Sequence, residues 1–225
     1  MSGTQVRMAR RAKGLNQKAL ASRLGLSQGY VSLLERDRRP VHGRLAGKVA
    51  AVLGMSPTAL PVADTKPLKL ERATRSLGAL GYEGFGYLRG RRANPTSVLL
   101  GTLRAENVDG RVVEALPWLL VKYPNLNWEW LMPRVKQADL QNRLGFVVSL
   151  ARELAALRGK SKAVAVLSKW ESALERSRLQ ANDTFARGTL TESERHWLRE
   201  HSSAQGKRWN MLSTLNVDAL AQANE

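Results

Sequence analysis

The run from Asn16 to Glu35, NQKALASRLGLSQGYVSLLE, constrains the fold more than any other part of the chain. Asn16 can cap a helix that begins at Gln17. Leu20, Ala21 and Leu24 fall on one face of that helix. Gly25 supplies the left-handed residue on which helices commonly stop. Ser27 can cap a second helix, from Gln28 to about Arg36. Only Gly25, Leu26 and Ser27 join the two, so the chain must turn a sharp corner. Ala21 is small enough for the helices to cross closely there.

The second helix divides by angle. At about 100° per residue, Gln28, Gly29, Ser32 and Leu33 share an arc of roughly 140°. Val31, Leu34 and Glu35 fall on the other side, with Tyr30 at the margin. Val31 and Leu34 are expected to pack on Leu20 and Leu24. Gln28 then faces outward at the start of the helix. There its amide can hold adenine N6 and N7 by two hydrogen bonds. Ser32 can donate or accept, and Leu33 can offer apolar contact to a thymine methyl. Two short helices with this corner make a helix-turn-helix, whose second helix lies in the DNA major groove.

Residues 5–62 resemble the phage repressor/Cro-like helix-turn-helix family. The matching run is GLNQKALASRLGLSQGYVSLLE, with an arginine in helix 1 and an S-P-x-x-L pattern at Ser56, Pro57 and Leu60. The resemblance implies five short helices and a homodimer. It implies that Gln17 contacts backbone phosphate and braces Gln28, and that Arg10 pairs with Glu35 inside the fold. It also implies that the loop carrying Arg36, Arg38 and Arg39 borders the DNA backbone. Three positions depart from the family pattern. Asp37 stands where glycine is usual, although Asp tolerates the left-handed conformation. Gly29 removes one base-reading side chain and weakens the helix. Leu33 replaces a position that is often polar.

Charge points the same way. The chain of 225 residues has a formal net charge of +17. In residues 1–60, eleven Lys and Arg stand against Glu35 and Asp37, giving +9. The other 165 residues carry twenty-five against seventeen, giving +8. Positive charge is densest on the helix-turn-helix, as binding to a polyanion requires. There is no cysteine, which excludes disulfides, thiolate chemistry and cysteine metal sites. No apolar run approaches the ~18–20 residues of a membrane span, and the polar, basic start lacks a signal-peptide core. A bacterial cytoplasm, on the nucleoid, is the expected location.

The remainder reads as helix. Residues 4–13 form helix 1, with Val6 and Ala9 inward and Arg7 and Arg11 as a basic ridge. Residues 43–53 form helix 4 on Leu45, Val49, Val52 and Leu53, and Pro57 starts helix 5 after its cap Ser56. Pro61 to Pro67 is the expected boundary between a DNA-binding domain, 1–62, and a helical oligomerisation or partner-binding domain, 68–225. In the second domain helices are expected at 68–77, from Thr96 to Arg104, after the cap Asp109, after the cap Asn127, at 139–158 and at 162–179. Pro117 should kink or break the third of these. The long helix shows a stripe of Leu140, Leu144, Val147 or Val148, Ala151, Leu154 and Leu157. Thr191 and Glu194 form a capping box, and Asn216 to Ala223 suit a last short helix. No alternating strand pattern occurs. The expected class is all-α, with stacked helical hairpins following the repressor-like unit.

Catalytic patterns are wanting, and a non-enzymatic protein without cofactor or metal is expected. His196 and His201 lie five apart, about 140° around a helix, and make no clean metal pair. Gly159-Lys160-Ser161 lacks the first glycine and the preceding strand of a phosphate loop. Trp118, Trp128 and Trp130 lie close in sequence, as core residues or as a partner-binding surface. The run VVEALPWLLVKYPNLNWEWL, residues 112–131, dimly resembles the C-terminal regions of bacterial regulators that act as antitoxins. The expectation is therefore a repressor that binds double-stranded DNA at a palindromic operator as a homodimer, with a cognate toxin as a further partner. The alternative is an RNA-binding helical protein. It would use residues 78–92, where Tyr82, Phe85 and Tyr87 interleave with Arg89, Arg91 and Arg92.

Overall fold

The computed structural model describes residues 1–222. Its elements are helical, and among the described residues only two isolated β-bridges occur, Asn107 with Ala186 and Asp183 with Met211. The chain divides into two compact units. The smaller comprises residues 1–63 with 92–94, and the larger residues 64–91 with 95 onward.

The smaller unit contains α1 (Gly3–Ala12), α2 (Gln17–Leu24), α3 (Gln28–Glu35), α4 (Gly43–Leu53) and a 3-10 turn, Pro57–Ala59. Helix α1 starts one residue earlier than its pattern suggested. Ser2 and Gln5 form a capping box around that start, the S-x-x-Q form of the motif. The fifth helical segment is a single 3-10 turn. Leu60 precedes Pro61 and takes an extended conformation, because a proline ring disfavours the helical state of the residue before it. The core joins Val6 of α1, Leu20 and Leu24 of α2, Val31 and Leu34 of α3, and Val49 and Leu53 of α4.

The larger unit contains α5 (Leu70–Leu80), a 3-10 turn Glu83–Phe85, α6 (Pro95–Leu103), α7 (Gly110–Lys122), α8 (Trp128–Gln137), α9 (Gln141–Leu157), α10 (Ser161–Glu175), α11 (Glu192–His201), α12 (Ala204–Arg208) and α13 (Val217–Gln222). The final residue expected in the last helix, Ala223, lies outside the described residues. Helix α9 is the hub, packing on α7, α8, α10, α12 and α13. Its first eleven residues are all buried, so the single stripe understates it. Leu157, placed in that stripe, is 64% exposed, although Leu154 and Ala155 of the same turn are buried. The helix expected at 162–179 ends at Glu175.

Pro117 does not break α7, which runs unbroken from Gly110 to Lys122. A proline inside a helix costs about 3 kcal/mol. Its neighbours Leu116, Leu119 and Leu120 are fully buried, and each contributes about 1.5–3 kcal/mol by leaving water. Packing therefore outweighs the lost backbone bond.

Candidate nucleic-acid interface

The corner between α2 and α3 is built by local chemistry. The Asn16 side chain accepts a hydrogen bond from the Ala19 amide at 2.7 Å. Gly25 ends α2 at φ 70°, and the Leu26 amide reaches back to the Ala21 carbonyl at 2.9 Å. The Ser27 hydroxyl accepts from the Tyr30 amide at 3.1 Å. With the corner fixed, Val31 and Leu34 become fully buried. Gln28 and Gly29 are exposed at the start of α3, and Leu33 is 40% exposed. Ser32 and Tyr30 are half-buried, and Tyr30 packs against the core of this unit. The open face of α3 is thus narrower than the angular arc, with Gln28, Gly29 and Leu33 presented most fully.

Beneath this face lies a buried ion pair. Arg10 Nε donates to Glu35 Oε1 at 2.5 Å and Nη2 to Oε2 at 3.0 Å, while Nη1 donates to the Leu15 carbonyl. Gln17 Nε2 donates to Glu35 Oε2 at 2.9 Å. The Gln17 amide thus engages Glu35 rather than Gln28. Burial pushes the Glu35 carboxyl up, but the hydrogen bonds from Arg10 and Gln17, with the nearby charges of Arg10 and Arg7, outweigh it. The group is held below the ordinary carboxylate range.

The loop after α3 is set by Asp37, which adopts φ 56°. It does more than tolerate that conformation. Its Oδ1 accepts a hydrogen bond from the Gly3 amide at 2.6 Å, so the carboxylate sits at the N-terminus of α1. Gly3 is itself required by close approach. A Cβ there would lie 2.1 Å from the Leu34 carbonyl oxygen. Sequence reading missed this docking of α1 on the end of α3, because Gly3 and Asp37 are 34 residues apart. The loop leaves Arg36, Arg38 and Arg39 exposed, and Arg7 and Arg11 are exposed on α1.

The three tryptophans singled out do not form one open surface. Trp128 is buried, stacks on Trp170 at 5.3 Å and donates from Nε1 to the Pro124 carbonyl. It is a core residue, which corrects its place among partner-binding candidates. Trp118 meets Tyr82 edge-on at 5.1 Å. Trp130 is half-buried under the Arg134 guanidinium, 3.9 Å from its ring. The tryptophan that stands out is Trp197, 51% exposed and stacked on His201.

Among the described residues no group of His, Cys, Asp or Glu is arranged to hold a metal ion, and no helix is long and apolar enough to cross a membrane. A cavity of about 200 Å³ in the larger unit is lined in part by Arg104, Arg143 and Arg187. Asp64 pairs with Arg104, and Asp183 with Arg143 and Arg187, so these guanidinium groups are already engaged.

Residues 6–60 match the helix-turn-helix family model, of the Cro/C1 type. No curated protein and no solved structure matches the chain. The matched segment contains α2, α3 and the loop that follows them, and it gives the chain the DNA-binding domain of a transcription regulator.

Proposed function

We propose that this helix-turn-helix protein is a repressor, binding a palindromic operator as a homodimer, and that its larger unit holds a toxin protein encoded beside it, as an antitoxin does. The observation that carries the DNA reading is the division of α3. Val31 and Leu34 are buried while Gln28, Gly29 and Leu33 face out, beside three exposed arginines in the following loop. Gln28 reads adenine, Leu33 meets a thymine methyl, and Arg36, Arg38 and Arg39 lie along phosphates. Gln17 braces Glu35 and hence the base of α3. Two copies related by a two-fold axis place two α3 helices in successive major grooves, about 34 Å apart.

Two features support the antitoxin part. One is the dim resemblance of residues 112–131 to antitoxin-type regulators. The other is a unit far larger than operator binding needs. Covering a catalytic cleft takes a shaped surface of order 1,000–2,000 Å², which this unit is large enough to supply.

Randomised-site selection tests the DNA reading. Gln28→Ala should relax the choice at one base pair, by roughly 1–3 kcal/mol. Arg38→Ala should weaken all sites alike and lower the log–log salt slope by about 0.9. An unchanged selection profile for Gln28→Ala would overturn the assignment of α3. Co-expression of the full chain with each neighbouring gene product, followed by gel filtration, tests the second part. If no neighbour co-elutes, the antitoxin reading fails and the repressor reading stands.

A further inference from the structure

We infer that the larger unit carries a second nucleic-acid site, for an unpaired strand, on α5 and the segment Tyr82 to Arg91. This goes beyond the operator reading and does not depend on it.

Helix α5 buries Ala73, Ser76, Leu77 and Leu80 and exposes Arg72 and Arg75, with Lys69 exposed just before it. The segment that follows is clamped onto the helix at two points. A Cβ at Gly78 would lie 2.2 Å from the Phe85 carbonyl oxygen, and one at Gly90 would lie 2.1 Å from the Arg75 carbonyl oxygen. Backbone therefore touches backbone at both places, as only glycine permits. Tyr82 and Phe85 are buried between the clamps, their rings 5.3 Å apart, and Tyr82 also meets Trp118. These two aromatics are anchors. The third is not, for Tyr87 is 77% exposed.

Around Tyr87 positive charge predominates, with Glu71 and Glu83 the exposed carboxylates of α5 and this segment. Arg89 and Arg91 are exposed on either side of the Gly90 clamp, over the helix that exposes Arg72 and Arg75. The ion pair found here is Arg75 with Glu71, both exposed. No Asp or Glu occurs from Gly84 through Ala105. Arg92 falls in the other unit and is not part of this surface.

An exposed ring among guanidinium groups favours one ligand. In a duplex the base faces are stacked on one another and hidden from a protein ring. An unpaired strand offers both its phosphates and the faces of its bases. The two clamps hold the backbone that carries the arginines before binding, which reduces the ordering entropy that a flexible arginine-rich loop would lose. Tyr87 stacks on a base, while Arg89, Arg91 and Arg72 track the phosphates.

The test uses the full chain and labelled single strands of about 12 nucleotides, as RNA and as DNA of the same sequence, followed by fluorescence anisotropy. Unlabelled duplex DNA in excess occupies the helix-turn-helix. Strand binding should persist under that competitor. Tyr87→Ala should weaken it roughly fivefold to a hundredfold. Arg89→Ser with Arg91→Ser should lower the log–log salt slope by about 1.4. Gln28→Ala should leave strand binding unchanged. Tighter binding of RNA would identify a transcript as the source, and tighter binding of DNA a melted promoter strand; either supports the site. Complete displacement by duplex, failure to bind either strand, or indifference to both surface variants would overturn it. Duplex binding by the same preparations reports separately on the operator reading.

Discussion

Arg10 in the smaller unit and Arg143 in the larger are both buried arginines that hold a carboxylate. Arg10 ties α1 to α3 through Glu35 and donates to one backbone carbonyl, that of Leu15. Arg143 holds Asp183 across 40 residues of sequence and also donates to the carbonyls of Leu103, Ala105 and Thr184. Its guanidinium is 1% exposed and faces the Phe185 ring at 5.1 Å. One pair braces neighbouring helices beneath the open face of α3. The other fastens the end of α6, the loop before α11 and the hub helix α9 into one body. The two pairs differ most in the number of carbonyls they satisfy, one for Arg10 and three for Arg143.

The largest expected effect follows from that count. Arg143→Met leaves three buried carbonyls without a donor and leaves Asp183 to Arg187 and the Thr184 amide, and should cost the larger unit about 3–5 kcal/mol. Denaturant unfolding monitored by tryptophan fluorescence measures it, since Trp118, Trp128, Trp130, Trp170, Trp197 and Trp209 all lie in that unit. Operator binding by the smaller unit should survive under conditions that leave the protein folded. A loss under 1 kcal/mol would remove the basis for treating Arg143 as a fastener.

Replacing both partners sharpens the contrast. Arg10→Met with Glu35→Leu should recover most of the loss caused by Arg10→Met alone, because an apolar pair can stand in for a buried ion pair. Arg143→Met with Asp183→Leu should recover little, since the three carbonyls remain without donors. Equal recovery in the two units would erase the distinction.

Acid probes both carboxylates. Burial pushes the Asp183 carboxyl up, but hydrogen bonds from Arg187 and Arg143 outweigh it, so its value lies below the ordinary range, as that of Glu35 does. A depressed folded value means that each contributes stability present in full above the ordinary carboxylate range, about pH 4. That stability is lost as pH falls through the depressed value. In Arg143→Met the Asp183 value should rise, so acid unfolding followed by circular dichroism should begin at higher pH than in the parent. An unmoved midpoint would show that Arg187 alone holds the carboxylate.

The smallest effect concerns Asp37. Asp37→Gly keeps the left-handed turn but removes the acceptor at the Gly3 amide, and should cost about 1 kcal/mol in thermal unfolding. A neutral result would mean that the turn conformation alone explains the residue.

Local signals determined the helix-turn-helix. The caps Asn16 and Ser27, the left-handed Gly25 and the division of α3 into buried and open faces all depend on residues within a few positions of one another. The same is true in the larger unit of the caps Asp109 and Asn127 and of the Thr191–Glu194 box. Backbone hydrogen bonding and rotation by 100° per residue are short-range rules, so sequence carries them. Tertiary packing decided the rest. Trp209 lies over Gly145, where a Cβ would come within 2.2 Å of its ring. The contact spans 64 positions of sequence, and neither residue announces it. Nor does spacing reveal that Arg143 faces Asp183, that Gly90 lies on Arg75, or that Pro117 sits inside an unbroken helix. These depend on which surfaces meet once water is excluded, and that is settled only when distant segments share one packed interior.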